Sequence, residues 1–505
     1  PYWELCLADG ASTKPHVREI INIYASNDSR IRYKFLEENM GISGNTNAAL
    51  EMASGEFISL LDHDDMLASH ALFSIVEAIN KEPNADMLYS DEDKFTEAAE
   101  KNPSDRFMPH FKSAFNPELL RSNNYICHLL TIKRDLLEQI GGFRSEFDGS
   151  QDHDLILRVS EKAETIVHIP DVLYHWRSHR ESVAQNMDAK TYALAAGRKA
   201  VEEHLQRIHR SGKVEVDEKY PGTYKVQYDL ISHPFVSIII PNMDHVEDLR
   251  RCLESIDHST YDNYEVIIVE NNSVKPETFA YYDTIRSDRV HILSFAGPFN
   301  FSKINNEAVK HAVGEHVVLL NNDTTCLTPD WIEQLLQYSQ YDDIGAVGAK
   351  LLYPDNTVQH AGVIIGLGGI AGHAHLNRKK DDPGYMFRAV VPQAIGAVTG
   401  ACLMIRKDKY LGVGGMNDDF AVAFNDIDLC LRLMKAGYRN IFTPYVQMVH
   451  YESKSRGNDM DPDKIDRFSS EVDLFEQLWD MCRFSDQFYN PNFSLRNPSI
   501  GGFSV

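Results

Sequence analysis

The stretch that decides the fold is Gly314–Thr324, GEHVVLLNNDT. Its centre, HVVLL at His316–Leu320, is apolar and β-prone and reads as a strand buried on both faces. It stops at Asn321, Asn322 and Asp323, polar residues that favour a turn. In an open α/β sheet, ligands sit beyond the carboxyl ends of the strands. A carboxylate leaving a strand there can hold a divalent cation against a phosphate. A second copy lies upstream at Gly55–Asp65, GEFISLLDHDD. One copy alone is equally the pattern of a buried strand before an Asp-rich turn. Two copies in matching surroundings point to a site.

Those surroundings repeat along most of the chain. Placing Gly55 on Gly314 sets Asp62 on Asn321, Asp64 on Asp323, and Asn47 (GNTNAAL) on Asn306 (KINNEAV). The two Asn residues are expected to start short helices, 47–53 and 306–312. A helix is expected after each Asp-rich turn, at 68–80 and 329–339. Farther on, IGGF at 140–143 answers VGGM at 413–416. SQDHDLILR and FNDIDLCLR then set Asp152 on Asp426 and Asp154 on Asp428, each opening a helix. LYHW and MVHY set His175 on His450. Strands alternating with helical segments predict an α/β fold, two tandem layers each with a mostly parallel sheet.

The halves differ at their start. The second has a strand at 236–240 (VSIII, then Pro241) and an amphipathic helix at 246–256 before the strand YEVIIVE, Tyr264–Glu270. The first opens directly on WELCLAD, Trp3–Asp9, the equivalent of YEVIIVE. The expectation is a chain that begins inside its first domain, which lacks its opening strand. The expected organisation is a domain over 1–187, a helix and hairpin linker over 188–233, a second domain over 234–462, and a helix with an Asn/Pro/aromatic tail over 463–505.

A chain of 505 residues, 43% hydrophobic and 25% charged, is long enough for two ordinary globular domains. Its 50 basic and 74 acidic residues give a net charge of -24. That balance disfavours nucleic acid and anionic lipid as partners. An anionic substrate would need a local cation. Seven scattered cysteines with no CxxC pair argue against a disulfide framework and a zinc site, and fit a reducing, cytoplasmic setting. No apolar run reaches membrane-span length, and no signal peptide is evident. GxGxxG, GxxxxGK[ST] and GxSxG are absent, which leaves dinucleotide dehydrogenases, P-loop enzymes and α/β-hydrolases unsupported.

Asp323 with His450 offers carboxylate plus imidazole, a set that suits Mn²⁺, whereas Mg²⁺ prefers oxygen alone. Asp426 lies at a helix N-terminus, where the dipole favours the anion, and is the candidate general base. Asp428 reads as a first-turn residue. Glu270 and Asp9 end matching strands, where a carboxylate can hydrogen-bond a base or ribose. Each has a plainer role as well: His450 as a core histidine, Asp426 as an N-cap, Glu270 as a turn residue.

Taken together, VSIIIPNMDHVEDL, EVIIVENNS, FNFSKINNEAV, VVLLNNDT, TGACLMI, FNDIDLCLR and FYNPNF resemble the family 2 glycosyltransferases with their GT-A fold, and within them the bacterial rhamnosyltransferase type of O-antigen and capsule assembly. The resemblance implies two tandem GT-A-like domains and an inverting, metal-assisted transfer from a nucleotide-diphospho-sugar, such as dTDP-rhamnose, to a growing surface polysaccharide or lipid-linked glycan. It implies Mn²⁺ or Mg²⁺ as cofactor, no nucleic acid, and peripheral association with the inner face of the cell membrane. Pro241 and Glu270 would flank the base, with Asn306 and Asn322 as further donor contacts. Asp323 and His450 would hold the metal, and Asp426 would be the base. In the first half Asp9 and Asp62 would meet the donor, Asp64 and His175 the metal, and Asp152 would be the base. Asn321 stands where the family has the first acid of D-x-D, Asn425 and Gln151 where Glu is frequent, and Gly10 where Asp is frequent. The second half is expected to hold the better-formed site.

Two other readings compete. A sugar-phosphate nucleotidyltransferase would carry a Gly-rich basic loop after the first strand, and PNMDHVEDL has none. Asp323, Asp426 and His450 together argue against a noncatalytic sugar-binding or scaffold protein in the second half; for the first half that reading stays open.

Overall fold

In the computed structural model, residues 2–97, 105–178, 187–451, 465–497 and 501–504 are described. The decisive stretch forms the strand His316–Leu320, buried at every residue. Beside it lie Val236–Asn242, Tyr264–Glu270 and Val290–Ser294, all parallel. Their Val- and Ile-rich sequences suit a sheet covered on both faces. Pro241 sits inside a strand, although proline cannot donate to a ladder. It is tolerated because pairing with His316–Leu320 ends two residues earlier, at Ile239 and Leu319.

On its other side His316–Leu320 pairs antiparallel with Cys402–Arg406, which pairs antiparallel with Ile344–Leu352. Ile344–Leu352 runs parallel to the long strand Arg439–His450, whose end pairs antiparallel with Thr324–Cys326. The sheet is therefore parallel where the opening strands lie and mixed beyond. This long crossing strand carries His450 back to the turn that holds Asp323.

The helices follow their apolar spacing. Val246–Asp257 buries Leu249, Cys252, Leu253 and Ile256 on one face. The helix expected to begin at Asn306 begins five residues earlier, as Phe301–His311, because the Asn300 side chain accepts from Lys303 N at 2.9 Å and caps it. Its counterpart is Gly41–Leu50, likewise longer at its start than expected. A buried aromatic tail, with Phe488, Tyr489 and Phe493, completes this unit.

The chain divides into two compact units, residues 1–115 with 120–227, and residues 116–119 with 228–505. The helix Met187–Arg207 and the strand Gly212–Val216 lie in the first unit, and the division falls at the end of the strand Tyr224–Tyr228 that pairs with it in a hairpin. The boundary expected at 462/463 lies outside the described residues.

In the first unit, Leu5–Asp9 and Ile31–Phe35 form a parallel pair of their own. Among the described residues no strand joins that pair to Phe57–Ser59, the position Val236–Asn242 fills in the second unit. Six further strands form a sheet around Met87–Phe95. That strand contains Asp91, Glu92 and Asp93, all buried. Their charges are met by His168 (2.8 Å), Lys112 (3.4 Å) and His175 (2.6 Å) respectively.

Candidate active site

The turn after His316–Leu320 brings Asp323 against His450, with Oδ1 3.1 Å from Nε2. Asn321 Nδ2 lies 3.2 Å from the same nitrogen. The other ring nitrogen, Nδ1, lies 2.7 Å from Gln359 Oε1. The Gln359 acceptor keeps a proton on Nδ1 and aims Nε2 at Asp323; a second proton there makes the ring a cation that donates to Asp323 Oδ1, and a bound metal would take that proton's place. Burial works against the Asp323 charge, but the hydrogen bond and charge of His450 outweigh it and hold the carboxyl below its usual range.

Asp426 opens the helix Asn425–Lys435. Its Oδ2 accepts from Gly400 N at 2.8 Å and its Oδ1 from Ile427 N at 2.8 Å. Those bonds fix the rotamer of the carboxyl group and leave further lone pairs for a ligand. Residue 401, next to Gly400, accepts from Asn321 N at 3.1 Å through its carbonyl. One short loop, Thr399–Ala401, therefore ties Asp426 to the turn that carries Asp323. Phe424, just before, is held at φ 62°, a left-handed conformation that a bulky residue rarely adopts. Such strain tends to gather at working sites.

Asn322 Nδ2 donates to Asn242 Oδ1 at 2.6 Å, and Asn242 Nδ2 to the Tyr282 hydroxyl at 2.8 Å. That hydroxyl donates to Glu270 Oε2 at 2.6 Å. The Asp-rich turn is thus bonded to the end of the strand that carries Pro241 and Asn242, and through it to the next strand. Glu270 also accepts from Ser273 N and Oγ, both at 2.6 Å. Asp9 makes the matching turn bond, accepting from Ser12 N at 3.2 Å, but its Oδ2 is buried without a hydrogen-bond partner.

Asn306 is committed elsewhere. Its Oδ1 accepts from the Tyr410 hydroxyl (2.6 Å) and Met416 N (2.9 Å), and its Nδ2 donates to Met416 O and Asp418 Oδ1 (2.8 Å each). Asn47 holds Phe143 in the same way, N at 2.9 Å and O at 2.8 Å. The repeated Asn and the repeated Gly-Gly are one device, an amide clamping a tight turn. Asp428 is structural too, paired with Arg432 at 2.7 Å.

In the first unit Met66 stands opposite His175, as Thr324 stands opposite His450. Asp65, not Asp64, therefore takes the place of Asp323, because this turn is one residue longer. Asp65 accepts from the Tyr174 hydroxyl at 2.5 Å and Arg177 N at 2.7 Å. Asp64 is 3.9 Å from His63. His175 binds Asp93 at 2.6 Å, and its ring is 1% exposed. Asp62 is open, and 4.0 Å from it stands His128, a residue the repeat did not single out. Asp152 senses both: burial pushes its carboxyl up, His128 draws it down and Asp62 pushes it up again.

Among the described residues no three His, Cys, Asp or Glu side chains form a ready metal shell. Asp323 and His450 do fit a cation that takes its other ligands from substrate oxygens and water, as phosphate-bound cations do. Their nitrogen and oxygen donors suit Mn²⁺, and Gln359 orients the imidazole behind them. No described helix is long and apolar enough to cross a membrane.

An O-antigen biosynthesis protein, RfbC, of Myxococcus xanthus is 36% identical to this chain over 99% of it and 38% of its own length. An uncharacterized protein of Sinorhizobium fredii is 43% identical over 98% of the chain and 54% of its own length. An N-acetylglucosaminyl-diphospho-decaprenol L-rhamnosyltransferase of Mycobacterium tuberculosis is 29% identical over 29% of the chain and 50% of its own length. Each of these three matches spans about half, or less, of the relative's own length. The model of glycosyl transferase family 2 matches residues 1–141 and 237–412, which takes in the Asp-rich turns of both units and the loop 399–401 and stops before Asp426 and His450, and the chain belongs to that family.

Proposed function

We propose that the second unit transfers a sugar, with inversion, from a nucleotide-diphospho-sugar to a hydroxyl of a growing surface polysaccharide or lipid-linked glycan. The observation that carries this is the Asp323–His450 pair at 3.1 Å, tied through residues 399–401 to a fixed Asp426 carboxylate. Asp426 takes the proton of the acceptor hydroxyl as its oxygen bonds to the anomeric carbon, and the bond from that carbon to the diphosphate oxygen breaks. Asn242 and Asn322 fix the edge on which the nucleotide lies. Asp323 and His450 would hold Mn²⁺ or Mg²⁺, which when bound supplies positive charge to the departing diphosphate. The named rhamnosyltransferase among the relatives makes dTDP-rhamnose the first donor to test. In the first unit the base would be Asp152. The acceptor implies docking at a membrane face.

A donor screen by mass spectrometry with Mn²⁺ present tests the proposal. Asp426→Asn should lower turnover by about 10²–10⁴-fold while nucleotide binding survives. Asp323→Ala should weaken cation and nucleotide binding together. Unchanged turnover in Asp426→Asn, or no turnover with any donor, would overturn it.

A further inference from the structure

The sequence repeat points to His175 as the partner of His450, but the packing around it disagrees. His175 is enclosed: Nδ1 sits on Asp93 at 2.6 Å, and Nε2 is buried with no hydrogen-bond partner. A ring with Nδ1 on a carboxylate and Nε2 unmet has the polarity of a ligand, but at 1% exposed it is sealed from solvent, where the His450 and His128 side chains are 10% and 12% exposed.

His128 has the opposite setting. Its side chain is 12% exposed, and Nε2 stands 4.0 Å from Asp62 Oδ2, a carboxylate 56% exposed. Two ligands each about 2.1 Å from one cation lie roughly 3.0–4.2 Å apart. The His128–Asp62 gap falls in that range. The ring is stacked on Tyr174, centroids 4.5 Å apart at 15°, and stands edge-on to Trp176 at 5.7 Å. The same Tyr174 hydroxyl donates to Asp65 and accepts from Asp62 N at 3.3 Å, so one tyrosine fixes both the turn and the imidazole. The His128 backbone is pinned as well. Its N donates to Glu92 Oε2 at 3.1 Å, and its carbonyl accepts from the buried Lys112 ammonium. That ammonium also donates to Ser90 O (2.7 Å) and Ile126 O (2.5 Å). Glu92 is itself met by Lys112, with Nζ 3.4 Å from Oε2, so the support of the His128 backbone is one connected cluster.

Topology gives the location meaning. Lys133 pairs with Phe57 as Arg406 pairs with His316, and each is followed by a helix. Counting back, His128 occupies the place of Ala401, in the loop that ties the base to the Asp-rich turn in the second unit. We infer that in the first unit the nitrogen ligand of the cation and diphosphate site is His128, facing Asp62 and Asp152, and that His175 is a structural residue. The site has moved its imidazole from the long crossing strand to the neighbouring loop. This inference rests on the proposed cation-assisted transfer.

The test is Mn²⁺ binding to the full chain by electron paramagnetic resonance, with the second unit silenced by Asp323→Ala and His450→Ala. The silenced chain should retain one Mn²⁺ site. Adding His128→Ala, or the size-conserving His128→Gln, should weaken that site about tenfold or more, with circular dichroism unchanged for His128→Gln. Adding His175→Ala should lower the melting temperature and change Mn²⁺ affinity less than about twofold in the chain that stays folded, taking ligand loss of at least tenfold as the scale. Mn²⁺ should also quench Trp176 fluorescence in the silenced chain and lose that effect in His128→Gln. The inference is overturned if the silenced chain has no Mn²⁺ site, or if His175→Ala removes the site and His128→Gln spares it. Whether silencing itself removes a site reads the second unit separately, so failure of the parent proposal is distinguishable from failure of this one.

Discussion

At the scale of single residues, type and position conveyed unequal amounts. Asp323, Asp426 and His450 were legible because each ends or begins a strongly patterned element, and the fold brings those ends to one loop. Asn306 repeats just as faithfully, but for a mechanical reason. Its amide makes two bonds to Met416 and one each to Tyr410 and Asp418, and a Cβ on Gly415 would come 2.5 Å from its Oδ1. Asn306→Ala should strip that turn of its clamp and cost about 2–3 kcal/mol, read as a lower urea midpoint with an unchanged slope. Donor affinity should persist in the fraction that stays folded. A loss of donor affinity at unchanged stability would return Asn306 to the donor site. Repetition alone cannot separate a clamp from a contact, since both demand the same residue at the same place. His128 was invisible for the converse reason: its meaning comes from Tyr174, Asp62 and Lys112, which sequence spacing does not join.

Among the elements, apolar strands and amphipathic helices could be read directly, whereas Met87–Phe95 could not. A segment reading SDEDKF looks like a solvated loop until Lys112, His168 and His175 are placed around it. The C-terminal helix, Ile465–Trp479, was expected as a helix, but not what it does. Glu471, 3% exposed, accepts from Val422 N at 2.8 Å and Ala423 N at 3.2 Å. Phe475 packs on Phe424 with centroids 5.3 Å apart, and Trp479 Nε1 donates to Asp428 at 3.1 Å. The helix thus braces the strained approach to Asp426 from three points. Glu471→Ala leaves two backbone N–H groups unmet and frees Phe424 to relax. Turnover should fall roughly 10–100-fold with donor KM little changed, because a small misplacement of the proposed base Asp426 acts on the chemical step. A rise in donor KM at unchanged kcat would show that the helix shapes the donor pocket instead.

For the molecule as a whole, the dominant quantity is charge. A net charge of -24 opposes the approach of a nucleotide diphosphate, and the acids of the candidate site sharpen that opposition locally. In the proposed reading a cation beside Asp323 reverses the local sign, so its removal should do more than delete one contact. With EDTA present, nucleotide diphosphate affinity should be weak at 10 mM salt and improve toward 150 mM, where the screening length shrinks from about 30 Å to about 8 Å. With Mn²⁺ present the same change of salt should leave affinity flat or weaken it slightly, because the attraction then resides in a partly buried, less screened pair. Calorimetric titration across that salt range, with and without Mn²⁺, reads the sign of both slopes. A binding constant that falls with salt in EDTA would mean that placed Lys and Arg residues, rather than a cation, receive the diphosphate, and Asp323 and His450 would then lose their proposed role.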